Sequence, residues 1–329
     1  MKIGIIGGTG MLGHHIAIAA QLRSHEIVII HRASSDLSKI ADLKYESRIA
    51  DLNDRGALIR AAEGLDVLIN AAAYYPTLPK PLAQEIKTAR NQMQHFLDAV
   101  KEAKIKKGMY VGGAIAIPKN KTGLGHEALF YDEIPHGTPA YTQVKWLMDK
   151  MAREAANEGL PISIGIPSMT FGEYDYGPTT GRLIVDLANK TLPAYLKGQR
   201  NIVYAGDAGR GLLAVAEKGR PGERYLITGY NTSTTDVVNL ICKIADVPKL
   251  TKTLPLKLAK LISKFQEIKY TLVRGDEPTL SSTAIAVLTS GQHLDGKKAK
   301  DELNYSPEID IKSAIEKAYK WFKLVNYIK

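Results

Sequence analysis

Tyr141 and Lys145 stand four residues apart in Pro139-Ala140-Tyr141-Thr142-Gln143-Val144-Lys145, and on a helix that spacing puts both on one face. Such a pair suits proton transfer. A free tyrosine, with a pKa of about 10, is a poor acid or base at neutral pH, and a neighbouring ammonium favours its phenolate. Tyr-x-x-x-Lys recurs by chance on helices, so its meaning depends on what precedes it. Near the start of the chain lies Gly7-Gly8-Thr9-Gly10-Met11-Leu12-Gly13. Its Gly-x-x-Gly-x-x-Gly spacing is one residue looser at the front than the Gly-x-Gly-x-x-Gly fingerprint of dinucleotide sites. Glycines let a diphosphate approach the main chain, and the N–H groups and positive end of a following helix meet its charge. Without a strand before and a helix after, the same glycines are only a turn.

Both flanks are present. Ile3-Gly4-Ile5-Ile6 reads as a strand, and Leu12, Ile16, Ala19 and Ala20 share one helical face. A second strand at 26–30 leads into His31, Arg32, Ala33, Ser34 and Ser35. In an NAD-type site an acid at this strand end binds the adenosine ribose hydroxyls and repels the extra phosphate of NADP. A cation with hydroxyl donors suits that phosphate, so the expected cofactor is NADP(H) rather than NAD(H). The alternative leaves Arg32 an ordinary surface arginine. A third strand at 45–50 ends at Asp51-Leu52, where Asp51 either holds the adenine amino group or caps the helix at 55–62. After a fourth strand at 66–69, Asn70-Ala71-Ala72-Ala73 lets a flat cofactor lie close. Tyr74 and Tyr75 follow, opening a substrate pocket or merely packing as aromatics.

A helix over 82–103, a strand over 108–112, the helix over 140–157 and a strand over 161–166 continue the alternation. Further strands are expected at 201–204 and 224–227 around a helix at 207–218, and the turn-rich Gly172 to Pro178 stretch is placed to grip a substrate. The loop at 114–137 carries His126, Glu127, Asp132, Glu133 and His136 without His-Glu-x-x-His or Cys-x-x-Cys spacing, so no metal is expected.

Composition limits the function classes. The chain has 329 residues, 45% hydrophobic and 24% charged, enough for one large or two ordinary domains of a soluble globular protein. Its charge of +10 is spread along the chain with no aromatic-interleaved basic cluster, which argues against nucleic acid. No apolar run reaches the length of a membrane span, and the strand and glycine turn begin at once, leaving no signal-peptide pattern. Cys242 is the only cysteine, which fits a reducing cytoplasm, and among Val237, Val238, Ile241 and Ala245 it reads as a buried structural thiol. On the helix expected over 254–268, Leu254, Leu258, Leu261, Phe265 and Ile268 form a stripe beside Lys257, Lys260 and Lys264. Packing of that stripe against the core is expected first; an anionic membrane surface and a lid over an apolar substrate are the other two uses. The tail from Lys312 to Tyr327 is a second amphipathic helix, with Trp321 and Phe322.

Taken together, these stretches resemble the extended short-chain dehydrogenases/reductases, the superfamily of nucleotide-sugar epimerases and dehydratases, and within it the dihydroflavonol-reductase-like branch. Residues 31–36, Pro167 to Ile184, Gly206 to Gly211 and Gly219 to Tyr225 add to the likeness, which covers most of the chain. The resemblance implies an α/β fold: a Rossmann-type doubly wound parallel sheet with a smaller C-terminal α/β substrate domain. The NADP-binding part would span 1–167, with roughly 201–228 returning to it, and the interleaved substrate part 168–329. It implies Tyr141 and Lys145 as catalytic residues acting on a small-molecule carbonyl or alcohol. The implied cofactor set is Gly7, Thr9, Gly10, Met11, Leu12, Gly13, His31, Arg32, Ser34, Ser35, Asp51, Leu52, Ala71, Ala72, Ala73 and Gly112, with Pro167, Ser168 and Met169 beside the nicotinamide. Tyr75, Gly113, Ala114, Tyr174 and Arg182 would face the substrate, and the helices at 82–103 and 140–157 would form a homodimer. There is one departure. The family's Ser or Thr after the fifth strand is Gly113 here, in Tyr110-Val111-Gly112-Gly113-Ala114. Losing one donor to a developing oxyanion costs on the order of a hundredfold in rate, unless Thr122, a pocket tyrosine, a water or the substrate itself replaces it.

Overall fold

Near-continuous apolar runs such as Ile27-Val28-Ile29-Ile30 are buried on both faces, as a parallel sheet covered by helices on each side demands. The computed structural model describes residues 1–72, 74, 80–273 and 280–329. Strands β1 (Lys2–Ile6), β2 (Glu26–His31), β3 (Glu46–Ile49), β4 (Val67–Asn70), β5 (Lys107–Val111) and β6 (Ile162–Pro167) lie in one sheet. Between or beside them run helices α1 (Met11–Leu22), α2 (Arg55–Ala62), α3 (Leu82–Glu102) and α4 (Ala140–Asn157). The chain then forms β7 (Met169–Phe171), α5 (Arg182–Ala188), β8 (Gln199–Tyr204), α6 (Ala205–Lys218), β9 (Arg224–Ile227) and β10 (Tyr230–Ser233). Five helices complete it: α7 (Thr234–Ile244), α8 (Leu256–Val273), α9 (Ser282–Ser290), α10 (Lys297–Leu303) and α11 (Ile311–Leu324).

The main sheet has seven strands in the order β3-β2-β1-β4-β5-β6-β9, every pair parallel. Strand order reverses between β1 and β4, which opens a crevice beyond their carboxyl ends. Val28, Ile30, Leu68, Tyr110 and Ile164 face a core shared with α2, α3 and α4. Ile3, Ile5, Ile29, Met109 and Val111 face the opposite core, against α1 and α6. A third core around Phe171, Ile184, Val237, Ile241, Cys242, Trp321 and Phe322 holds the smaller part together, so the cysteine is buried in packing.

Two details differ from the reading of the sequence. Residues 201–204 belong to β8, which pairs with β7 and β10 in a separate three-stranded sheet, so the chain returns to the main sheet through α6 and β9. Of the expected apolar stripe, Leu254 precedes α8 and packs inward, but Leu258, Leu261, Phe265 and Ile268 point outward and are exposed, as is Leu272. The face turned inward carries Ala259 and Ser263 instead. There Ala259 packs against Leu196 and Ile285, a contact that a larger leucine would hold apart. Among the described residues, no helix is long and apolar enough to cross a membrane.

Candidate active site

At the carboxyl ends of β1 to β4 the strands splay around a cavity of ≈ 430 Å³, lined by Gly7, Thr9, Gly10, His31, Arg32, Ser35, Asp51, Leu52, Ala71 and Ala72 among others. Gly7 has φ +85°, open to glycine at little cost, and turns the chain from β1 towards α1. At Gly13 a Cβ would come within 2.2 Å of the Gly7 carbonyl oxygen, so only glycine lets the first turn of α1 seat against the loop. Among the described residues no side chain caps α1. The first-turn amides of Met11 and Leu12 are thus left for an anion, with the positive end of the helix behind them.

The loop after β3 is braced from α3. Gln92 Nε2 donates to Asn53 Oδ1 at 3.0 Å, and His95 Nδ1 donates to the Leu52 carbonyl at 2.8 Å. Asp51 accepts from the Asn53 backbone and side-chain amides at 2.7 and 2.8 Å. Asp54 is the residue that caps α2, so Asp51 has no capping role and lines the cavity. Arg32 is exposed at the end of β2, and no ion pair involves it among the described residues. His31 is different. Its Nδ1 is bonded to the Arg32 carbonyl at 2.9 Å and its Nε2 to Ser47 Oγ at 2.7 Å. Both ring nitrogens are committed, so His31 supplies a wall of the cavity and no free donor for a phosphate.

Beyond β5 and β6 the second half of the site is built on the first turns of α4. Gln143 Nε2 donates to the Thr138 carbonyl at 2.8 Å, and Trp146 Nε1 to the Tyr131 carbonyl at 2.8 Å, which fixes that helix end against the preceding loop. Lys145 is 5% exposed. Its Nζ lies 5.9 Å from the centroid of the Tyr141 ring and 5.6 Å from that of Tyr110. Burial alone lowers its ammonium from 10.5 to about 8. Gly113 is extended (φ −142°, ψ 133°), and a Cβ there would sit 3.5 Å from Lys145 Cγ, Cδ and Cε, an ordinary contact. The missing hydroxyl is therefore not excluded by lack of space. Ala114 opens the short 3-10 turn at Ala114–Ala116.

Tyr110 belongs to no motif that would single it out. Its side chain is wholly enclosed, its hydroxyl has no partner among the described residues, and burial pushes that hydroxyl well above the ordinary range. Strand alternation was the available signal, since it turns Tyr110 to the same side of β5 as α4. Tyr74 lines the cavity at the ends of β1 to β4, with its hydroxyl bonded to Glu85, and Ile6, Ile30, Ala50, Asn53 and Gln92 complete the lining.

Several expected residues are placed elsewhere. The Tyr174 ring stacks on His14 at 3.7 Å and its hydroxyl donates to Asp42 at 3.1 Å. Arg182 is bound along its own helix to Asp186 at 2.8 Å. Neither lines the cavity, because nearer partners satisfy each polar group. The Thr122 hydroxyl is exposed and donates to Asn120 Oδ1 at 3.2 Å, so it does not replace the hydroxyl absent at Gly113. Ser34 is exposed and outside the cavity lining. Ala73 and Tyr75 lie outside the described residues.

A nicotinamide dinucleotide fits the residues present. Besides the uncapped helix and the glycine turn, Asn70 Nδ2 on β4 and Ser168 Oγ just after β6 are enclosed polar atoms at the strand ends with no partner among the described residues. Pro167 ends β6, the Ser168 amide donates to the Ile227 carbonyl at 3.1 Å, and Met169 begins β7. The Gly112 amide donates to the Gly165 carbonyl at 2.8 Å, holding β5 and β6 together at the same edge.

Comparison with known proteins agrees with this arrangement. The model of the NAD dependent epimerase/dehydratase family matches residues 3–228. The crystal structure of a nucleoside-diphosphate-sugar epimerase from Pseudomonas aeruginosa is 38% identical, covering 100% of this chain and 99% of its own, with a TM-score of 0.85. A Synechocystis sp. protein provisionally named a dihydroflavonol 4-reductase is 26% identical over 99% of this chain and 95% of its own length. Sterol demethylase protein B from Methylococcus capsulatus is 23% identical over 97% of each.

Proposed function

The chain belongs to the NAD-dependent epimerase/dehydratase family, and from that premise we propose that it is an NADP(H)-dependent oxidoreductase that reduces an aldehyde or ketone, or oxidises the matching alcohol. The observation that carries this reading is the grouping of Tyr141 and Lys145 with Gly113, which lies just beyond the end of β5, the strand paired with β4 at the edge of the cavity. When bound, the nicotinamide supplies or accepts the hydride. Tyr141 gives the proton to the carbonyl oxygen in reduction and takes it back in oxidation. Lys145 holds a positive charge beside the Tyr141 ring in a site with little water, where that charge favours the phenolate more strongly than it would in solvent. Arg32 supports NADP(H), being an exposed cation at the end of β2 with no acidic residue in the His31 to Ser35 turn. Helices α3 and α4 would carry the homodimer contact.

NADPH oxidation at neutral pH against a panel of aldehydes, ketones and dicarbonyls, beside Tyr141→Phe, tests the reading. Turnover that the variant loses by roughly a hundredfold or more supports it. Tight NADPH binding with no turnover across the panel overturns it in favour of a protein that senses the dinucleotide, a role for which Tyr141→Phe changes nothing. The 38% identity to the Pseudomonas aeruginosa epimerase favours a second reading, nucleotide-sugar epimerisation or dehydration. In that case NAD stays bound through purification and is reoxidised within each turnover.

A further inference from the structure

We propose that the outward face of α8 docks the protein on an anionic lipid bilayer, lying in the plane of its surface. Leu258, Leu261, Phe265, Ile268 and Leu272 recur at intervals of three and four, and each is 46–78% exposed. At 100° per residue they occupy an arc of about 80°, in a stripe about 21 Å long. Ala259 and Ser263, on the opposite face, are 0% and 3% exposed and make the contact with the body of the protein. A helix that turns its large apolar residues to water and its small ones inward is the reverse of ordinary amphipathic packing.

Charge decides what covers the stripe. Lys257 and Lys264 flank it on one side and Lys269 on the other, with Lys260 further round. The one acid on α8, Glu267, is turned towards α9, where its carboxylate accepts from the Ser282 amide at 2.6 Å. Four lysines and one glutamate give α8 a charge of +3. A second copy would set +3 against +3 across a dry contact, with no acid among the described residues of α8's outer face to pair the lysines. The stripe also faces away from the protein, so it does not cover a substrate held inside. An anionic bilayer complements both properties. Leucine and phenylalanine enter the acyl boundary while the flanking lysines reach the headgroups, aided by the overall charge of +10.

This inference is independent of the oxidoreductase reading and is tested without a substrate. The full chain is sedimented with phosphatidylcholine vesicles, with and without phosphatidylserine, over a range of salt. The expected result is binding to the phosphatidylserine vesicles that weakens as salt rises. Each flanking lysine changed to serine should lower partition by roughly fivefold. Leu261→Glu with Phe265→Glu should lower it by at least about tenfold, and both sites are exposed, so the melting temperature should hold. Phe265→Ser alone is the milder control, with a smaller loss in the same direction. Absence of binding to phosphatidylserine vesicles, or binding that ignores these substitutions, overturns the proposal. A concentration-dependent dimer that Phe265→Glu disperses, without vesicle binding, also overturns it and assigns the face to a second copy.

Discussion

Lys145→Met should stabilise the protein while abolishing turnover. Keeping the charged ammonium inside lowers it from 10.5 to about 8, which corresponds to about 3 kcal/mol at neutral pH. The Tyr110 and Tyr141 rings, both within 6 Å of Nζ, return roughly 0.5–1 kcal/mol each by cation–π attraction. The net cost of the charge is about 2 kcal/mol. Methionine removes it and keeps most of the apolar stem that Gly113 borders. The sign with pH is fixed by linkage. Unfolded lysine keeps its proton up to about 10.5 and the folded one only to about 8, so between those values the unfolded state binds more protons and wild-type stability rises with pH. The advantage of Lys145→Met is therefore full below about pH 8 and should shrink towards zero as pH approaches the unfolded value. Urea unfolding of both proteins without cofactor, at neutral pH and at about pH 9.5, measures it. A variant no more stable than wild type at neutral pH, or one whose advantage grows with pH, would refute the argument that burial of an uncompensated charge sets the properties of Lys145.

Gly113→Ser should raise carbonyl reduction by tenfold or more, since one oxyanion donor is worth roughly a hundredfold and the added Cβ has ordinary contacts; unfolding should shift by less than about 0.5 kcal/mol. A rate no higher than wild type would mean that another group already fills that role. Arg32→Glu should weaken NADPH binding by roughly ten- to a hundredfold and leave NADH binding equal or better, read by fluorescence titration. Equal loss of both would move Arg32 away from the 2′-phosphate. Asp149→Ala strands Arg224, which is 4% exposed and has its Nε 3.1 Å from Asp149 Oδ2. It should cost about 3–5 kcal/mol in urea unfolding, and a loss below about 1 kcal/mol would show that Arg224 is balanced by other groups.

Local chemistry made half of the site legible. The glycine turn, the ends of β2 and β3 and the Tyr141–Lys145 pair all depend on residues within a few positions of one another, and the parallel register of β1 with β2 and β4, and of β2 with β3, brings the strand ends to one edge. What depended on distant partners was not legible. Whether His31 faces a phosphate is decided by Ser47 on the neighbouring strand. Tyr174 is taken up by His14 and Asp42, from the other end of the chain. The apolar stripe of α8 follows a helical period, but which face turns inward depended on the small footprint of Ala259 against Leu196 and Ile285. Composition alone carries no such information.

Asp149 binds Arg153 on its own helix and Arg224 on β9, and β9 closes the edge of β6. The helix that carries Tyr141 and Lys145 is thus tied to a strand made long after it, once β7, α5, β8 and α6 have all emerged from the ribosome. During synthesis the first six strands wait with β6 as a bare edge, a template for mispairing. A fragment ending at Pro167 would keep Gly7, Gly10, Gly13 and the Arg153 partner of Asp149, yet lose its buried Arg224 partner and the last strand of its sheet. The first six strands are consequently not a module that recombination can cut out at one point and transplant, since the strand that completes their sheet is encoded beyond β7, α5, β8 and α6.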